Sequence, residues 1–197
     1  MSEPIHIQFT RFSAFYSPLI ATMAGGFLRA EGLEPRHSNA PSGTSAIENV
    51  VAASRWRCSS TPVTGAGSTS RASARSTWRA TRWTRPSARA RASLAATRAW
   101  LATDMARRFM RAYRKARSWL GTTPAAQVAE AEAPFVPDID RAVLTATIAY
   151  YQTLGCWTPH VEITRPAFEA TLDIFQHAGL ITRRHAYEAV VAAPPAG

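Results

Sequence analysis

Lysine is almost missing from this chain: Lys115 is the single one among 23 basic residues. Acidic residues are absent from one whole stretch, 54–93, which also has no Leu, Ile, Phe, Tyr or Met. Cysteine occurs twice, at Cys58 and Cys156, with neither the number for a disulfide framework nor a metal-ligand spacing. No run of apolar residues reaches the length of a membrane span. The opening "MSEPIHIQFTRF" has no basic segment followed by an apolar one, so no secretory signal is expected and the chain as written would stay in the cytoplasm. A glycine-rich phosphate loop is missing too. None of the five histidines (His6, His37, His160, His177, His185) stands at a catalytic or zinc spacing from Ser, Cys or Glu. Cys156 and His160 are two potential ligands, and two do not make a site. The expectation is a protein without enzyme activity, metal or cofactor.

What is present divides the chain. The net charge of +10 belongs almost wholly to 54–93, which carries nine Arg, nine Ser, six Thr and seven Ala; the remainder is nearly neutral. Trp56, Val63, Trp78 and Trp83 are its large apolar residues and follow no period. Such a stretch buries too little surface to offset ordering about forty residues at roughly 1–2 kcal/mol each, so no regular structure is expected there. Three readings stay open for it. Arg and Trp can contact phosphates and stack on bases, which makes a nucleic-acid arm. A flexible linker is the second. The third is out-of-frame translation, since GC-rich coding DNA read off-frame yields mostly Arg, Ala, Ser, Thr, Pro, Gly and Trp.

The flanks read as folded protein. "IHIQFT" alternates, with Ile5, Ile7 and Phe9 on one side, and predicts a strand. Ser17 and Pro18 predict a helix start, Ser as N-cap and Pro in the first turn, with Gly32 as the terminator. The pair Gly25-Gly26 inside that helix is either poor helix design or a sign of close approach to a sheet or ligand. "LEPRHS" predicts a second strand, and Ser45 with Glu48 forms a capping box for a second helix. Strand, helix, strand, helix is the order of an α/β fold with a parallel sheet. After Ser93 the pattern is helical. Met105, Phe109, Tyr113, Ala116, Trp119 and Leu120 mark one amphipathic helix, begun by Thr103 and Asp104, whose Arg and Lys form a solvated face. A second starts at Thr123-Pro124. A third carries Val143, Leu144, Ile148 and Tyr151 and stops at Gly155. A fourth is capped by Thr164, carries Phe168, Leu172 and Phe175, and stops at Gly179. A short element in "LITRRHAYEAVV" and a tail finish the chain.

Two stretches carry a resemblance. "FSAFYSPLIATMAGGFLRAEGLEP", through Ala21, Gly26, Phe27, Leu28, Glu31, Gly32 and Leu33, resembles the opening of ABC-transporter solute-binding proteins of the nitrate, sulfonate, taurine and thiamine-precursor class. "APSGTSAIENVVAA" is similar to their next feature, a small polar turn opening a helix. "LATDMARRFMRAYRKARSWLGTTPAAQVAE" and "YYQTLGCWTPHVEITRPAFEATLDIFQHAGLI" look like the C-terminal half of the class. The resemblance covers roughly 1–53 and 94–190. It implies a type II periplasmic-binding-protein lobe, an α/β unit made of a parallel sheet plus C-terminal helices, with the second lobe largely missing. The implied division is 1–53 and 94–193 as two parts of one lobe, 54–93 as a non-native or unstructured segment, and 194–197 as a tail. The implied function is capture of a small organic or oxyanionic solute for ABC permease subunits at a membrane, with nucleic acid as the rival partner through 54–93. The implied site has two parts. Ser13, Phe15 and Tyr16 follow the first strand at its C-terminal edge, where open α/β sheets bind ligands, and the two aromatics stack on a planar ring or else plug the core. Ser42, Gly43, Thr44 and Ser45 sit at a helix start, where free N–H groups and the helix dipole hold an anion or polar head group. A cysteine-rich motif found in a pyrimidine-making relative is absent.

Overall fold

The computed structural model describes residues 2–9, 16–40, 57–61 and 93–196, with the backbone alone for 57–61 and Ser93. Strand β1 (Glu3–Phe9) is followed by helices α1 (Ser17–Ala24) and α2 (Phe27–Ala30) and by strand β2 (Leu33–Asn39). Then come β3 (Arg57–Thr61), β4 (Ser93–Ala95) and α3 (Arg98–Leu101). The helical half is α4 (Asp104–Thr122), α5 (Ala125–Glu132) with a 3-10 turn at Ala133–Phe135, α6 (Arg141–Thr153), α7 (Arg165–His177) and α8 (Tyr187–Val190).

The sheet runs β2-β1-β3-β4. β1 is parallel to both neighbours, in register Glu3 with Leu33 through Phe9 with Asn39, while β3 and β4 are antiparallel. The fold is thus mixed α/β. Parallel strands need a crossover between them, and α1 with α2 supplies the one from β1 to β2. The alternation expected of β1 is seen in Ile5, Ile7 and Phe9, all buried.

Five residues of the segment expected to lack regular structure form β3. A central strand such as β1 offers backbone donors and acceptors on both sides, and a neighbour can satisfy them with its own backbone whatever its side chains are. Residues 62–92, and the helix expected from Ser45 and Glu48, lie outside the described residues.

The long helix expected from Ser17 to Gly32 is two helices. Gly25 closes α1, and Gly26, at φ 74°, opens α2 in the left-handed region. A Cβ on Gly25 would stand 2.5 Å from the Phe27 ring. The glycine pair therefore marks a break between the two helices at which Phe27 folds back against Gly25 and meets Trp119 at 6.0 Å. Ser17 is also not the N-cap: Tyr16 holds that position, and the Ser17 hydroxyl is used elsewhere. Likewise Thr123 ends α4, and Pro124 is the N-cap of α5.

Two groups of buried side chains meet along α4. Its N-terminal half (Met105, Ala106, Phe109, Met110, Ala112) packs on Ile5, Ile7, Leu19, Ile20, Leu28 and Trp100. Its C-terminal half (Ala116, Leu120) packs on Ala21, Val128, Leu144, Ile148 and Trp157. The basic face of α4 was expected to be solvated, but only Arg107 and Lys115 are exposed; Arg108, Arg111, Arg114 and Arg117 are half-buried, and part of this face ties down the α2–β2 corner. Lys115 and Arg111 each donate to Glu31 at 2.8 Å, and together they hold its carboxyl below the ordinary carboxylate value.

Candidate functional site

Because β1 and β2 are parallel, both leave the sheet at the same edge, where the Ala40 N–H donates to the Phe9 carbonyl at 2.6 Å. The two loops of the expected site depart from this edge. Ser13 and Phe15, after β1, and Ser42, Gly43, Thr44 and Ser45, after β2, lie outside the described residues. Tyr16 is described. Its ring is buried in the main core, edge-on to Phe9 with centroids 5.7 Å apart. For Tyr16 the core arrangement, one of the two alternatives left open, is the one observed.

Directly after Tyr16 the structure brings together two residues 115 positions apart. Ser17, the first residue of α1, is buried and donates its hydroxyl to Glu132 Oε2 at 2.8 Å. Glu132 is the last residue of α5 and is fully buried. Its other oxygen, Oε1, is buried and accepts no hydrogen bond among the described residues. No Arg, Lys or His forms an ion pair with it among the described residues. Burial pushes its carboxyl up from 4.5 to about 7, and the Ser17 hydrogen bond pulls in the opposite direction. The start of α1 carries a partial positive charge that favours the ionised form, as does that hydroxyl. Glu132 is thus poised near neutrality, able to change charge within the core. One residue before the end of β1, Gln8 also buries its Oε1 without a hydrogen bond among the described residues.

Glu132 has no role among the expectations drawn from the sequence. The signal was there. Ala125, Val128, Ala129 and Glu132 recur at the spacing of one helix face; Val128 and Ala129 are core residues and Ala125 packs against them, so the fourth puts a carboxylate at a core position.

The histidines are dispersed. His6 Nε2 lies 2.9 Å from Ser38 Oγ, His37 packs on Phe135, and His160, His177 and His185 are exposed. Among the described residues no three His, Cys, Asp or Glu side chains group as metal ligands, and no helix is long and apolar enough to cross a membrane. Two shallow cavities of about 420 and 290 Å³ flank the C-terminal end of α5, and neither is lined by Tyr16, Ser17 or Glu132.

No family model, curated protein or solved structure matches the chain.

Proposed function

We propose that the chain is a shortened solute-binding component of an ABC-type importer, taking a small organic or oxyanionic solute at the C-terminal edge of β1 and β2. The observation that supports this reading is topological. The stretch with the family-like residues Ala21, Gly26, Phe27, Leu28, Glu31, Gly32 and Leu33 forms the helical crossover between two parallel strands, and α1 begins at the strand edge where such sheets bind ligands. Capture of solute at this edge would be followed by docking to permease subunits. The wider assignment, a type II periplasmic-binding-protein lobe lacking most of its companion, rests on the same order of elements.

A thermal-shift screen tests the reading. A thiamine-type aminopyrimidine, taurine and nitrate are titrated against the full chain. A ligand present at about 100 times its dissociation constant adds roughly 2.7 kcal/mol of stability, which is several degrees in a domain of this size. At least one compound is expected to raise the midpoint; no shift with any of them rejects solute capture. The rival partner is read in parallel by retention of duplex DNA at rising salt, where each phosphate contacted by an Arg of 54–93 contributes a log–log slope near −0.9.

A further inference from the structure

Of the two cavities beside the C-terminal end of α5, the smaller has the make-up of a ligand pocket. Its volume of about 290 Å³ holds a single ring with one substituent. Segments far apart in sequence build it. Met23, near the end of α1 and only 3% exposed, forms the floor. Pro35 and His37 stand two apart on β2 and so share one face of the sheet. β2 is an edge strand, which is where a sheet tolerates proline. The 3-10 turn after α5 adds Pro134 and Phe135. The His37 and Phe135 rings lie 5.3 Å apart and make an aromatic wall. Arg29, from α2, reaches the same cavity.

The polar part of this lining is one-sided. Among the described residues Arg29 and His37 are its polar side chains, and both carry nitrogen donors. Glu34 takes the Nε and Nη2 donors of Arg29 at 3.0 to 3.3 Å, while Nη1 makes no hydrogen bond among the described residues. Arg29, His37 and Pro134 are exposed, so the cavity opens to water at its basic rim and is apolar at its floor. We propose that it binds a small aromatic carboxylate, with the ring against Met23, Pro35 and Phe135 and the carboxylate on Arg29 and His37. The ring removes apolar surface from water, and a carboxylate accepts a charge-assisted hydrogen bond from the guanidinium, about twice as strong as a neutral one. This site shares no residue with the proposed solute edge and is independent of the solute-binding reading.

The test varies the ligand before it varies the protein. Isothermal titration of the full chain, at fixed ionic strength, compares benzoate, benzamide and acetate. Benzamide keeps the ring and an acceptor without the charge; acetate keeps the charge without the ring. Benzoate is expected to bind at least about fivefold more tightly than either. Arg29→Gln should reduce the margin over benzamide to less than about twofold. Ala131→Phe, which puts a ring into the cavity from α5, should weaken both aromatic compounds at least about tenfold and leave acetate unchanged. Arg29 is exposed, so its variant remains informative if the Ala131 variant does not fold. Absence of benzoate binding, or equal binding of benzoate and benzamide, overturns the proposal. Equal binding of benzoate and acetate does so too, since it marks plain attraction to a basic chain. A benzoate affinity unchanged by Arg29→Gln and Ala131→Phe places the ligand elsewhere and has the same consequence.

Discussion

Single residues decide more here than their neighbours in sequence suggest. The Ser17 hydroxyl is a common capping group, yet it serves as a donor to Glu132, because a buried carboxylate is a stronger acceptor. Glu132 gives stability a pH dependence whose sign is fixed. Its folded value, about 7, lies above 4.5, so the neutral form is the one that folding favours. Its contribution is fully present below about pH 4.5 and is lost as the pH rises through 7, by about 3 kcal/mol in total. Glu132→Gln should remove that loss. In urea unfolding, the variant and parent chains are expected to be close at pH 4.5, with the variant more stable by up to about 3 kcal/mol at pH 8; equal pH profiles would contradict the burial argument. Gly26 makes a second residue-level case. Among the described residues nothing stands within 4 Å of where its Cβ would be, so Gly26→Ala meets the backbone penalty of φ 74°. A loss of about 1–2 kcal/mol is expected by chemical denaturation, with no change in the sheet's circular dichroism.

Elements owe their limits to caps, and caps were partly legible. Thr103 and Thr164 accept from Ala106 N and Ala167 N, as their place before helical runs implies. Gly155 and Gly179, at φ 61° and 69°, terminate α6 and α7 as expected. The stripe on α6 was read too widely. Leu144 and Ile148 are buried, whereas Val143 is 58% exposed, because the helices packed on α6 cover only a narrow face. The start of α6 is fixed by Asp140, whose Oδ1 accepts from Ala142 N at 2.8 Å and Val143 N at 3.1 Å. Asp140→Ala should therefore cost about 1 kcal/mol, read from the denaturation midpoint. The C-terminal end of α4 is held in a way no local pattern signals. The Gln152 amide, from α6, donates to the carbonyls of Leu120 and Thr123 at 2.7 and 2.8 Å. That is a tertiary contact acting as a cap.

At the scale of the whole molecule, α4 joins the sheet layer to the helical layer, since its two halves belong to two different groups of core side chains. Helices α7 and α8 lie outside both groups. They hold to each other through Phe168 on Tyr187 and the Arg165 stack on the same ring, and Arg184 bridges Glu169 and Asp173. Truncating a core side chain should then have unequal effects. Leu120→Ala is expected to cost about 3–5 kcal/mol and to unfold the chain as a unit, while Leu172→Ala, 8% exposed on α7, should cost less than half of that. Comparable losses at the two positions would show that α7 belongs to the central core. The sequence by itself determined the strands β1 and β2 and the helices α4 to α7, since alternation, helical spacing and capping residues are local properties of neighbouring side chains. Only the tertiary structure decided that Arg57–Thr61 joins the sheet, that the Gly25-Gly26 pair breaks the helix under Phe27, and that Glu132 meets Ser17 in the core. Each depends on what a distant segment offers, whether an open strand edge, an aromatic neighbour or a lone hydroxyl, and no local pattern records that.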